Sequence, residues 1–170
     1  MKNSGNKNAM DIALSRLSRS QTTVLQLRKY LERKGFDLGN INETIKKLVE
    51  WNYVNDKEYA LAFIRTKRNK FSKKKTIIEL QRAGVDQEQT STLLDEYYTD
   101  EHEYQNCLRF AQKIWQTESI KWEKYKNLAK YQHIIREAFL KKKVGDKLLM
   151  RGFSFDIVKN VLANEFSGDI

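Results

Sequence analysis

The sequence of 170 residues contains no proline and only seven glycines. Proline fixes φ and removes a backbone N–H, so it normally ends or kinks a helix. Its complete absence favours helix along most of the chain. It also argues against a β-sandwich, whose many turns usually contain proline and glycine. We therefore predict an all-α fold.

Other features are also missing. A single cysteine, Cys107, excludes an internal disulfide and fits a reducing cytoplasm. No run approaches the roughly 18 apolar residues that span a bilayer, and the polar residues 1–8 do not form a signal peptide. His102, His133 and Cys107 have no metal-ligand spacing. From the single cysteine we expect a cytoplasmic protein. Because the sequence has no phosphate-binding glycine loop and no nucleophile beside a base, we expect that it is not an enzyme. We expect no metal, cofactor, small-molecule substrate or membrane partner.

A leucine that lies four residues before a glycine occurs three times in the chain. The segments begin at Leu31, Leu80 and Leu148. The first two glycines are 49 residues apart, and a shift of 49 aligns about 25 residues without a gap. The third glycine comes 68 residues after the second, which leaves 19 extra residues around 117–139. We interpret that stretch as an inserted or extended helical segment.

The repeat predicts the domain organisation. We expect an elongated, curved tandem array of three three-helix repeats, in which each unit packs mainly on its neighbours. The repeats are placed at 9–54, 55–99 and 100–166, after a disordered tail at 1–8.

Capping residues mark the ends of several helices. Thr23 and Gln26 form a capping-box pattern, and Ser72 and Ser154 precede later helices. Gly35 and its two counterparts fit left-handed C-caps. The third helix of the first repeat is predicted to start at Asn40, with Glu43 as the reciprocal cap.

The net charge is +10, and one stretch concentrates it. The basic segment, residues 65–75, has no acidic residue and contains seven cations: Arg65, Lys67, Arg68, Lys70, Lys73, Lys74 and Lys75. One interpretation is contact with a polyanion. The other is a solvated corner, because cations are favoured near a helix C-terminus. Three lysines at the start of the next helix oppose its dipole, which favours the first. Further contact candidates are Arg33, Arg82 and Arg151.

Another basic cluster and the aromatic residues have less bearing on binding. Lys141, Lys142 and Lys143 are interpreted as ordinary surface. The aromatic residues at helical spacing fit the core better than stacking on bases, and these are Tyr97, Tyr98, Trp115 and Trp122.

Three motifs resemble the RecX family of regulatory proteins. They are Tyr53-Val-Asn-Asp-Lys-Glu-Tyr-Ala60, Glu79-Leu-Gln-Arg-Ala-Gly-Val85 and Arg151-Gly-Phe-Ser154. Their order and spacing are similar to those of the family over residues 9–165. In the first motif we expect Asp56 to cap the helix that follows it.

The resemblance implies a function. RecX proteins bind the RecA recombinase filament on single-stranded DNA and mainly inhibit strand exchange, ATP hydrolysis and co-protease activity. A role in homologous recombination, DNA repair and the SOS response would follow. The partners implied are the filament and single-stranded DNA, bound directly or through the filament. The alternative is a stand-alone basic helical DNA-binding protein without a recombinase partner.

Overall fold

A computed structural model describes residues 8–128 and 133–166, apart from the side chain of Gln89. These residues form nine α-helices and no β-strand. The helices are α1 (Ala9–Leu17), α2 (Val24–Arg33), α3 (Leu38–Glu50), α4 (Asp56–Lys67), α5 (Lys73–Arg82), α6 (Gln87–Tyr97), α7 (Asp100–Tyr125), α8 (Arg136–Met150) and α9 (Phe155–Glu165). The predicted all-α array of three-helix repeats is confirmed. Residues 1–7 of the predicted tail lie outside the described residues.

The repeated leucine and glycine end the second helix of each repeat in the same way. Gly35, Gly84 and Gly152 all have φ of +87°, which glycine adopts without a steric penalty. In the first repeat the Phe36 N–H donates to the Leu31 carbonyl at 3.3 Å. The corresponding bonds from Val85 to Leu80 and from Phe153 to Leu148 are 3.0 and 3.3 Å. The motif is therefore a Schellman C-cap, in which the leucine packs inward beneath the turn.

Side-chain caps start most of the helices, but α8 follows Ile135 and has no side-chain cap. Two details of the sequence prediction need correction. The capping box of Thr23 and Gln26 is present, and Ser72 and Ser154 cap α5 and α9. The predicted start of α3 at Asn40 is wrong, because Asp37 is the N-cap and its carboxylate accepts the Asn40 N–H at 3.0 Å. Glu43 instead pairs with Lys47 one turn further along the helix.

Asp56 does not cap its own helix. The Asn55 side chain accepts the N–H groups of Lys57 and Glu58, both at 3.1 Å. The Asp56 carboxylate accepts the Val24 N–H of α2 at 2.9 Å. The prediction for Asp56 was wrong because a local motif does not show that another helix end lies closer to the carboxylate.

The chain forms two compact units. Of the described residues, the first unit contains 8–65 and 78–93, and the second contains 66–77, 94–128 and 133–166. The core of the first unit is built by α1, α2 and α3 around Leu27, Leu31, Ile41 and Leu48. In the second unit α7, α8 and α9 enclose Cys107, Ala111, Val144, Leu148 and Val161. Burial raises the pKa of the Cys107 thiol to about 12, consistent with the predicted role as a small buried hydrophobe.

The first unit contains a set of contacts that we call the first junction. Here the start of α2 packs on residues of the second repeat. The Thr23 hydroxyl donates to the Ala83 carbonyl, next to Gly84, and the Val24 N–H donates to Asp56. A Cβ on Gly84 would overlap the Cβ of Leu25. Glycine is therefore required by close packing as well as by its φ.

The second unit repeats these contacts at what we call the second junction. The Ser72 hydroxyl donates to the Arg151 carbonyl, next to Gly152, at 2.9 Å, and the Lys73 N–H donates to Glu103 at 3.1 Å. A Cβ on Gly152 would lie 2.8 Å from the Ser72 Oγ. Each junction thus joins an N-cap hydroxyl to the carbonyl before a left-handed glycine, and the first helix N–H to a carboxylate.

The longest helix takes up part of the additional sequence in the third repeat. α7 has 26 residues, compared with 9 in α1 and 12 in α4. Its extension is packed, since Trp122 is buried and its ring lies 4.9 Å from that of Phe139. The Glu118 carboxylate, also buried, accepts from Lys147 at 2.6 Å and Lys121 at 2.9 Å. Residues 129–132, which belong to the predicted insert, lie outside the described part.

Candidate polyanion-binding site

The basic segment spans the end of α4, the following turn and the first turn of α5. Arg65 belongs to the first compact unit, and the six other cations belong to the second. Lys70 and Lys74 are exposed, and no described residue forms an ion pair with either ammonium group. The second unit therefore holds most of the charge that the sequence singled out.

Carboxylates offset the lysines at the start of α5. Glu103, which is 7% exposed, accepts the Lys73 N–H, and the Lys73 ammonium lies 2.7 Å from the Asp95 carboxylate. A negative charge beside a helix N-terminus is favourable, so Glu103 compensates for cations that oppose the dipole. Burial raises the pKa of Glu103, while the Lys73 N–H and charge act in the opposite direction.

Aromatic rings position several of the other cations. The ammonium groups of Lys67 and Lys75 lie 5.7 and 5.1 Å from the centre of the Phe71 ring. The Arg68 guanidinium lies 5.5 Å from the ring of Tyr97. Such cation–π contacts favour particular side-chain positions at modest energy. The cations are thereby gathered around this turn.

Helix α7 fixes the turn between α4 and α5. The buried Asn106 amide donates to the carbonyls of Arg68 and Phe71 at 3.1 and 3.0 Å. Arg109 donates to the Asn69 carbonyl at 3.0 Å and to the Asn106 side chain at 2.6 Å. Sequence reasoning missed these two residues and Glu103. The available signal was an amide beside Cys107 on an apolar helix face, where an unpaired polar group is costly.

Arg151 joins this region through its backbone, whereas Arg33 and Arg82 do not belong to the second unit. The Arg151 carbonyl accepts from Ser72, and its guanidinium lies 4.7 Å from the centre of the Phe110 ring. Arg33 and Arg82 lie in the first unit. The Arg33 Nε donates to the Lys29 carbonyl at 3.2 Å, and Arg82 pairs with Glu79 at 3.1 Å.

A second basic surface lies within the first unit. A groove of about 720 Å³ is lined by Arg16, Gln21, Gln26, Lys29, Tyr30, Glu32, Arg33 and Tyr59. The Arg16 guanidinium and the Lys34 ammonium each lie 5.6 Å from the centre of the Tyr30 ring. Tyr30 therefore already packs with two cations, and Arg33 shares its surroundings with Arg16 and Lys29.

Two of the aromatic candidates are buried. Tyr98 and Trp122 are 3% and 7% exposed, and the Tyr98 hydroxyl lies 2.6 Å from the Thr76 hydroxyl. Trp115 packs on Phe166 with 4.6 Å between the ring centres. These contacts agree with the core interpretation and leave cations as the main chemical feature of the site.

Neither a membrane span nor a metal site is found among the described residues. Across residues 8–128 and 133–166, no helix is both long and apolar enough for a membrane span. The same described residues contain no group of three or more His, Cys, Asp or Glu side chains placed to hold a metal ion.

The fold and the site define an all-helical repeat protein with a concentrated basic surface, and comparisons with known proteins place it more narrowly. Residues 9–48 match the sequence profile of the first three-helix domain of RecX. A regulatory protein RecX from Bacillus cytotoxicus is 31% identical over 149 residues, which are 86% of this chain and 50% of that protein. One from Caldanaerobacter subterraneus is 33% identical over 108 residues, covering 63% of this chain and 55% of that protein.

A solved structure gives the same fold. The crystal structure of RecX from Lactobacillus salivarius superposes with a TM-score of 0.71 at 24% identity, covering 91% of this chain and 92% of that one. The chain belongs to the RecX family. It spans about half the length of the curated relatives described above.

Proposed function

We propose that the protein is a regulator that binds the RecA recombinase filament on single-stranded DNA. Binding would mainly inhibit its recombinase, ATPase and co-protease activities, and so regulate recombination, DNA repair and the SOS response. The observation that carries this proposal is the 31% identity to a regulatory protein RecX across 86% of the chain.

The basic segment supplies the chemistry for the nucleic-acid side of this function. Lys70 and Lys74 are exposed, and Lys67, Lys75 and Arg151 are positioned by aromatic rings in the same unit. Cations that neutralise phosphates release counterions, which gives binding a strong dependence on salt. The segment is therefore the part of the protein that we expect to lie nearest the DNA of the filament.

The function is tested by adding the protein to RecA filaments on single-stranded DNA and following ATP hydrolysis. Inhibition by less than one molecule per recombinase subunit is expected. Inhibition only after free DNA has been saturated would favour the stand-alone DNA-binding protein. No inhibition at any ratio of protein to recombinase would contradict both hypotheses.

A charge variant tests the site. Replacement of Lys73, Lys74 and Lys75 by Gln should weaken binding to filaments and reduce the slope of log affinity against log salt by up to about 2, since each phosphate contact on a single strand contributes about 0.7. The matched control replaces Lys141, Lys142 and Lys143 by Gln, which removes the same charge. An equal loss of slope in both variants would show that net charge, and not the basic segment, determines binding.

A further inference from the structure

The second unit contains a groove of about 570 Å³ with an apolar floor. Its apolar lining comes from α5, α8, α9 and the turn between the last two: Ile77, Leu149, Phe153, Phe155 and Ile157. Leu149 and Phe155 are 41% and 66% exposed, and the neighbouring Met150 is 87% exposed. Its charged lining consists of Lys73, Lys74, Asp100 and Glu103. Large apolar side chains grouped in this way are typical of an interaction surface.

The repeated sequence provides an internal control for this surface. With Gly152 aligned on Gly84, Leu149 corresponds to Gln81 and Phe155 to Gln87. In the first unit the Gln81 amide donates to the Gln87 side chain at 2.9 Å. The fold of a repeat therefore forms with polar residues at these two positions, and the apolar pair of the third repeat is not needed for folding.

The buried positions next to this pair are apolar in both repeats. Leu80 and Leu148 are both buried, and so are Val85 and Phe153. The core keeps its apolar character in both repeats, while the exposed pair, and with it Met150 in place of Arg82, changes from polar to apolar. This pattern indicates that the exposed pair serves binding, because covering apolar surface releases about 25 cal/mol per Å².

Charge narrows the class of partner. The Lys73 ammonium is paired with Asp95, but among the described residues Lys74 has no ion-pair partner. Two carboxylates also line the groove: Glu103, which is 7% exposed and accepts the Lys73 N–H, and the exposed Asp100. A partner carboxylate beside apolar side chains would complement the unpaired Lys74. A nucleic-acid backbone offers phosphates and sugars and would not use the apolar floor. A second copy of the chain is disfavoured because both carry a net charge of +10.

We propose that this groove is a docking site for a segment of a partner protein that presents apolar side chains next to an acidic residue. The inference rests on the proposed function to the extent that the recombinase filament would supply the partner. Lys74 would then take part in the protein contact at this groove, while the other cations of the basic segment meet the nucleic acid.

The test uses the full chain with Leu149→Gln and Phe155→Gln, which installs the polar pair of the second repeat. The matched control is Leu38→Gln, because Leu38 is 63% exposed and begins α3 as Phe155 begins α9. Binding of fluorescently labelled protein to RecA filaments on single-stranded DNA should weaken at least about tenfold in the double variant, as expected when apolar anchors are lost. The control and the affinity for naked single-stranded DNA should stay within about twofold of the wild type.

A photo-crosslinking amino acid at Met150 identifies what covers the groove and separates this inference from the proposed function. Crosslinks to the recombinase support the groove even if ATP hydrolysis is not inhibited. Inhibition without such crosslinks overturns the groove and leaves the function standing. Crosslinks to DNA or to a second copy, or equal weakening by Leu38→Gln, also overturn it, as does the absence of both inhibition and crosslinks.

Discussion

The two junctions use the same backbone contacts with different side chains around them. In the first, Thr23 and Asp56 make the bonds, and Leu25 lies against Gly84. In the second, Ser72 and Glu103 make them, and Ser72 itself lies closest to Gly152. The common part is a hydroxyl, a carboxylate and a left-handed glycine. Repeats can therefore be joined by a small set of polar groups, and the neighbouring surface is free to differ.

The glycines extend this comparison to a third position. Gly35 has the same φ of +87°, but no described atom outside its own neighbours lies within 4 Å of where a Cβ would be. The left-handed turn is thus a property of every repeat, whereas close packing on the glycine belongs to the junctions. Substitutions can separate these two requirements.

Replacing Gly84 by Ala should have the largest effect. The new alanine would have an unfavourable backbone φ, and its methyl group would also overlap Leu25. We expect the free energy of unfolding to fall by about 3 kcal/mol, from the left-handed conformation together with overpacking. Gly35→Ala should cost only about 1 kcal/mol, because the conformational term acts alone.

Urea unfolding followed by circular dichroism measures both changes. Equal losses in the two variants would mean that Leu25 moves aside without cost. The first junction would then not depend on close contact between the glycine and α2.

The glycine motif shows how much of the fold could be predicted from sequence. Leu31 and Gly35 lie in one turn, so their spacing already specifies a Schellman cap and the end of α2. The same applies to the capping box of Thr23 and Gln26. Local motifs therefore predicted the all-α repeat fold, because their bonds join residues only a few positions apart.

The junctions could not be predicted in this way. Val24 and Asp56 are 32 residues apart, and Ser72 and Arg151 are 79 apart. Nothing local distinguishes an aspartate that caps its own helix from one that accepts from another helix. The candidate site shows the same limit: the run of cations was visible in the sequence, but its attachment to α7 through Asn106 was not.

Removal of the N-cap hydroxyl of the first junction should have an intermediate effect on the free energy of unfolding. Thr23 is fully buried, and its Oγ1 accepts the Gln26 N–H at 3.1 Å while donating to the Ala83 carbonyl. Thr23→Val keeps the shape and removes both bonds, so we expect a loss of about 2 kcal/mol in the free energy of unfolding. The control is Thr99→Val at the start of α7. Within the described part of the chain, this exposed hydroxyl accepts only the His102 N–H, so a loss of about 1 kcal/mol is expected.

The same urea titrations compare the two threonines. A loss in Thr23→Val no greater than in Thr99→Val would show that the bond to Ala83 contributes nothing beyond the cap. The shared hydroxyl would then not be a stabilising part of the junction.

Neutralising the carboxylate of the first junction should have the smallest effect on stability, and the size of this effect depends on pH. Burial raises the pKa of Asp56 above its ordinary value of 3.8, although the Val24 N–H acts in the opposite direction. The folded chain therefore binds this proton more readily than the unfolded chain, and the ionised carboxylate reduces stability at neutral pH. Asp56→Asn keeps an oxygen that can accept from Val24, so the variant should melt slightly higher at pH 7. This advantage should shrink as the pH falls towards 3.8.

Asp37 provides a control of opposite sign. The hydrogen bond from the Asn40 N–H lowers the pKa of Asp37 below 3.8, so its ionised form stabilises the fold at neutral pH, and this contribution is lost as the pH falls through the lowered pKa. Asp37→Asn should therefore melt lower than the wild type at pH 7, with a difference that closes on acidification. Melting temperatures of both variants and the wild type between pH 2 and 7 check the pair. If both variants melted lower than the wild type at pH 7, the Asp56 carboxylate would behave like the exposed cap Asp37. Burial would then not make the ionised form of Asp56 less stable.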